Sequence, residues 1–101
     1  MKEKYVQRLI DIPDYILDKI NKICTQENIS LNYFVNKSII NNFTNDLSVL
    51  NITKRTDNIP IRIRINLKTY EKLKLCTRKW NISMQKIIIH FLFLELKKYN
   101  Y

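Results

Sequence analysis

The chain has no glycine, one histidine, two cysteines and two prolines in 101 residues, and each scarcity narrows what it can be. Without glycine, a backbone position that needs a left-handed conformation falls to another residue, and the abundant asparagines are best suited to it. Cys24 and Cys76 lie far apart, with no CxxC pair and no clustered histidines, so neither a zinc site nor a disulfide framework is expected. Reduced, half-buried thiols in a cytoplasmic protein are the simplest reading. The lone His90 counts against a hydrolase, which needs a nucleophile, a base and an orienting group, and against a nicking enzyme that holds its metal with several histidines. It reads as a half-buried packing residue, and no catalytic residue, metal or cofactor is assigned. Long apolar runs are also missing. The most apolar stretch, Ile87 to Leu96, is interrupted by His90 and Glu95 and falls far short of the ~20 residues of a membrane span. The residues from Met1 to Tyr5 lead into no apolar core, so a secretory address is not expected.

What is present is charge of one sign, unevenly placed. The formal net charge is +9, which favours a polyanionic partner. Residues 1–50 carry six basic and six acidic side chains, whereas residues 51–101 carry twelve basic residues against Asp57, Glu71 and Glu95. The whole surplus therefore belongs to the second half. Hydrophobic residues, 46% of the total, recur in periodic runs, as in a globular chain. The length suits one domain or two small units sharing a core.

The chain also repeats itself. Asn28-Ile29-Ser30-Leu31 returns as Asn81-Ile82-Ser83-Met84, and the same offset carries Ile10 and Ile12 onto Ile63 and Ile65, and Phe34, Val35 and Ile39 onto Ile87, Ile88 and Leu92. Each copy opens with period-two alternation: Val6, Ile10 and Ile12 on one side in the first, and Ile61, Ile63 and Ile65 interleaved with Arg62 and Arg64 in the second. Pro60 is tolerated at a strand start. The period then becomes helical, with Ile16, Ile20, Ile23 and Cys24 on one stripe and Tyr70, Leu73, Cys76 and Trp80 on the other. Pro13 and Asp14 mark the first helix start and Asn66 caps its counterpart. Asn28 and Asn81 are expected to be left-handed C′ residues, and Ser30 and Ser83 N-caps of a second, broadly apolar helix in each copy. Thr44 to Asn58 reads as a helix end followed by a polar linker. The resulting division is 1–45, a linker at 46–58, and 59–101.

Two strand-helix-helix copies with Asn-Ile-Ser turns resemble the ribbon-helix-helix family of DNA-binding proteins, over roughly Lys4 to Phe43 and Ile59 to Tyr99. The fold class expected on this basis is mainly α, with tandem ribbon-helix-helix units, β-α-α twice, sharing a two-stranded antiparallel ribbon. The resemblance implies a ribbon whose outward side chains contact bases in the major groove and helix N-termini that hold flanking phosphates. Arg62 and Arg64 share a strand face, and a guanidinium can bond guanine O6 and N7 together. Asn66, Gln7, Leu9 and Asp11 complete the expected base-contacting set, with Asp11 facing either cytosine N4 or an arginine across the ribbon. Ser30 and Ser83, with Asn32, Gln85 and Lys86, are the expected phosphate contacts. Lys68, Lys72, Lys74, Arg78 and Lys79 are a mixed set of phosphate contacts and solvated surface. Tyr15, Tyr33, Tyr70 and Trp80 are expected to pack against the core or its rim.

The partner expected is double-stranded DNA, with no membrane, and the function a small sequence-selective transcriptional repressor. Plasmid-partition or conjugation accessory roles remain open, as do an antitoxin-like protein-interaction module and a basic RNA-binding protein. The copies pair within one chain or between two, with cooperative assembly on DNA a further option. A linker of about fifteen residues, able to span roughly 50 Å, permits intrachain pairing.

Overall fold

A computed structural model of the chain describes residues 4–43 and 58–99, and the expected linker at 46–58 lies outside them except for Asn58. The alternating segments form two strands, β1 (Tyr5–Pro13) and β2 (Asn58–Asn66). Between and after them lie α1 (Asp14–Glu27), α2 (Leu31–Asn42), α3 (Leu67–Trp80) and α4 (Met84–Lys97). Asn58, expected in the linker, is the first residue of β2.

Helix boundaries follow local chemistry. Asn28 and Asn81 both adopt left-handed backbone, at φ 55° and 52°, and end α1 and α3 as glycine does in other chains. The Ile29 N–H donates back to the Cys24 carbonyl at 3.0 Å. Ser30 Oγ accepts from the Tyr33 N–H at 3.0 Å and Ser83 Oγ from the Lys86 N–H at 3.3 Å, the N-cap bond that satisfies an otherwise orphan donor. Asn66 Oδ1 caps α3 through the Lys68 N–H at 3.0 Å.

The strands pair antiparallel, from Tyr5 opposite Asn66 to Pro13 opposite Asn58. One face of this ribbon is covered. Ile10, Ile12, Ile63 and Ile65 are buried there and meet Ile16 and Ile20 of α1, Leu73 of α3 and the apolar faces of α2 and α4. The other face points away from every helix and stays exposed at Gln7, Leu9, Arg62 and Arg64.

The expectation of tandem strand-helix-helix units is corrected by this arrangement. The described residues hold four helices and one two-stranded sheet in a single β-α-α-β-α-α domain, and neither half has a sheet of its own. The physical reason is that each half completes the other. A lone strand leaves both edges unpaired, and the helices cross over to close them. Asn32 and Asn36 of α2 bond to β2, while Gln85 of α4 bonds to β1. The two halves share one core, so no boundary between units can be drawn through it.

An approximate twofold relation survives inside this one domain. Leu9 stands opposite Arg62, its own counterpart at the repeat offset, and Asn42 Nδ2 donates to Glu95 Oε1 at 3.0 Å, again counterparts. Residues that touch their own equivalents lie on the axis, which therefore runs from the ribbon centre between α2 and α4. The relation is unequal in substance. α4 buries nine residues and α2 only four, so the broad apolar arc expected of both helices belongs to α4, and Ser38 fills with a hydroxyl the place that Phe91 fills with a ring. Ser38 Oγ remains satisfied, donating to the Phe34 carbonyl at 2.7 Å.

Candidate nucleic-acid interface

The outward ribbon face includes three consecutive cross-strand pairs, Gln7 with Arg64, Leu9 with Arg62, and Asp11 with Pro60. The N–H and C=O of Arg64 point to the outer edge of the ribbon, so these are the non-hydrogen-bonded pairs, whose side chains stand closest. The same parity explains Pro60. Its nitrogen faces the outer edge, where no ladder bond is lost. Arg62 and Arg64 are exposed, and among the described residues no carboxylate lies within ion-pair distance of either. Leu9 is 61% exposed between them and Gln7. Asp11 is half-buried and opposite Pro60, and among the described residues no ion pair joins it to an arginine across the ribbon.

Both outer edges are gripped by side chains from helix N-termini. Asn32 Oδ1, in the first turn of α2, accepts from the Arg64 N–H at 2.7 Å. Gln85 Oε1, its counterpart in α4, accepts from the Asp11 N–H at 3.2 Å. Asn36 adds a second grip on β2, its Nδ2 donating to the Arg64 carbonyl at 2.9 Å and its Oδ1 accepting from the Asn66 N–H at 3.3 Å. Asn32 and Gln85, expected as phosphate contacts, thus hold the ribbon edges. The consequence for the site is positional. The N-termini of α2 and α4, with Ser30, Ser83 and exposed Lys86 and Tyr33, are fixed on either side of the outward ribbon face. Asn66, expected both to cap α3 and to reach bases, caps α3 and meets Asn36 at the ribbon's end.

Sequence reasoning missed three features. Arg8 belongs to the inward face with Val6 and Ile10, opposite Ile63, and its Nε is buried without a hydrogen-bond partner. Period two from Val6 predicts that side, but a cation is not read as a core position. The amide grips were also missed, because they depend on which helix lies against which edge. So was Glu95, 2% exposed, which accepts from Asn42, Lys98 and Asn41. Burial pushes its carboxyl pKa up, but the bonds from Asn42 and Lys98, the Lys98 charge and the Asn41 amide outweigh burial and hold it below the ordinary value.

His90 and the two cysteines belong to packing. His90, 5% exposed beside the Phe91 ring, is more buried than expected, and burial, with Lys97 nearby, lowers its pKa. Cys24 and Cys76 are buried thiols not joined in a disulfide. Burial pushes both thiols up, with Glu27 adding to the rise at Cys24 and Lys79 opposing it at Cys76. Tyr70 and Trp80 pack against the core, whereas Tyr15 and Tyr33 are exposed. Among the described residues no group of three or more His, Cys, Asp or Glu side chains is placed to hold a metal ion, and no helix is long and apolar enough to cross a membrane.

Comparison with protein-family models, curated proteins and solved structures finds no match to this chain.

Proposed function

We propose that the chain binds double-stranded DNA, inserting the outward face of the β1–β2 ribbon into the major groove as a small sequence-selective repressor. The observation that carries this reading is an exposed ribbon bearing two arginines that no carboxylate among the described residues pairs with, flanked on both edges by capped helix N-termini. A two-stranded ribbon fits the major groove, about 12 Å wide. In that pose Arg62 and Arg64 face base edges, Gln7 and Leu9 lie beside them, and the first turns of α2 and α4 meet phosphates on either side. The likeness of the repeated strand-helix-helix pattern to ribbon-helix-helix proteins supports the same reading, as does the charge of +9. Partition or conjugation accessory roles would use the same surface.

Fluorescence anisotropy on duplexes recovered by nuclease footprinting around the chain's own gene tests it. Affinity is expected to fall steeply with salt, and Arg62→Ala with Arg64→Ala together should weaken specific binding by about 100-fold or more. Undiminished binding by that double variant would sink the ribbon mechanism. Binding to a protein partner, with DNA affinity absent throughout, would favour the interaction-module alternative.

A further inference from the structure

The outward face of the ribbon is polar along its length as well as across its strands. At one end Gln7 and Arg64 stand side by side, followed by the pair Tyr5 and Asn66, with Lys4 and Lys68 exposed at the end of the ribbon. At the other end are Asp11 and Pro60, followed by exposed Asp14. The twofold relation within the domain exchanges Gln7 with Pro60 and Arg64 with Asp11, so it superposes donors on groups that cannot donate. A ribbon of two identical strands presents the same side chains to both halves of its target and is matched by a palindrome. This ribbon presents different chemistry to each half.

We infer that the chain recognises a non-palindromic duplex and binds it in one orientation, with guanine beneath Arg64 and Arg62 and none required beneath Asp11 and Pro60. The inference rests on the DNA-binding reading above. At the cationic end, Arg64 can bond guanine O6 and N7 and Gln7 can bond adenine N6 and N7. At the centre, Arg62 takes guanine while Leu9 lies against a thymine methyl. At the far end, Asp11 accepts only, suiting cytosine N4, and Pro60 offers an apolar surface. Reversing the duplex would set Asp11 against guanine acceptors, which a carboxylate repels. The orientation is thereby fixed by one end of the ribbon.

Selection of the full chain on a randomised duplex library provides the test. The expected motif lacks twofold symmetry, and Arg62→Ala and Arg64→Ala each erase guanine preference at a different position with about a tenfold or greater loss of affinity. A palindromic motif, or bound duplexes with no sequence preference, would overturn the inference while leaving DNA binding in place. Absence of binding to any duplex would overturn both. A second variant, Asp11→Arg with Pro60→Gln, copies the cationic end onto the far end using outward-facing positions. It is expected to gain about tenfold or more for a palindrome built from the cationic-end half-site, and no gain by the folded variant would count against the assignment.

Discussion

The two halves of the domain follow one backbone plan and fill it with opposite chemistry. On α1 the exposed charges are mixed, and Lys22 pairs with Asp18 at 3.2 Å. On α3 the exposed charges are Lys68, Lys72, Lys74, Arg78 and Lys79 against Glu71, with Lys72, Lys74 and Lys79 lying over the rings of Phe43, Tyr70 and Trp80. Deeper in, the contrast reverses. α2 supplies amides that grip a strand edge and meet Glu95, while α4 supplies the bulk of the core. One half is thus the polar fastening of the other, neutral because its acidic and basic side chains balance, where the second half adds aliphatic bulk inside and cationic groups outside.

The sharpest way to break this comparison is at counterpart positions in the core. Phe91→Ala removes a fully buried ring and is expected to cost about 3–5 kcal/mol, whereas Ser38→Ala, its counterpart, should cost about 1 kcal/mol or less. Chemical denaturation of both variants measures the gap, and equal losses would show that α2 and α4 share the core evenly. Next in size is the β2 edge. Asn36→Ala removes two bonds to the strand and is expected to cost about 1–3 kcal/mol, with faster amide exchange at Asn66. Gln85→Ala releases only the Asp11 N–H and should cost less. The two caps come third. Ser30→Ala and Ser83→Ala should each lose about 1 kcal/mol, and because the cap serves the same geometric role in both halves, their melting temperatures should fall together.

The smallest effect is on pH dependence, and on the acid side it comes from His90 and Glu95 of the second half. The pKa of His90 lies below its ordinary 6.5 in the folded chain, so the unfolded state binds the proton first on acidification. The stability contributed by neutral His90 is complete above about pH 6.5 and is lost as pH falls toward the folded value. Glu95 acts in the same sense at lower pH, stabilising the fold above its ordinary 4.5 and losing that contribution as pH falls through its depressed folded value. Melting temperature followed from pH 7 downward should show the His90 component vanish in His90→Gln, and a profile unchanged by that substitution would contradict it.

Much of the local structure was legible in the residues, and the reason differs by element. Ile-Arg-Ile-Arg-Ile announces β2 because alternation on a strand is a local property, and Asn28 and Asn81 announce left-handed helix ends because a chain without glycine has few other means. Ser30 and Ser83 are legible as caps for the same local reason. The division into two strand-containing units was not sound, because periodicity cannot show that each half's helices close the other half's strand. Asn32, Asn36 and Gln85 look like surface amides until the edges they grip are known. Arg8 was obscured by its charge, although its phase places it with Val6 and Ile10.

The pairing of β1 with β2 also dictates when the domain can form. β1 precedes its ladder partner by both helices of the first half, and α2 finds the strand edge it grips only once β2 is available. Joining such distant strands carries a loop-closure cost before any ladder bond repays it, which slows folding. During synthesis the first half would therefore emerge with an unpaired strand and an uncovered apolar helix face, and fold only when the second half joins it. A fragment ending at residue 57 is expected to show little stable helix by circular dichroism and to gain it on addition of residues 58–101.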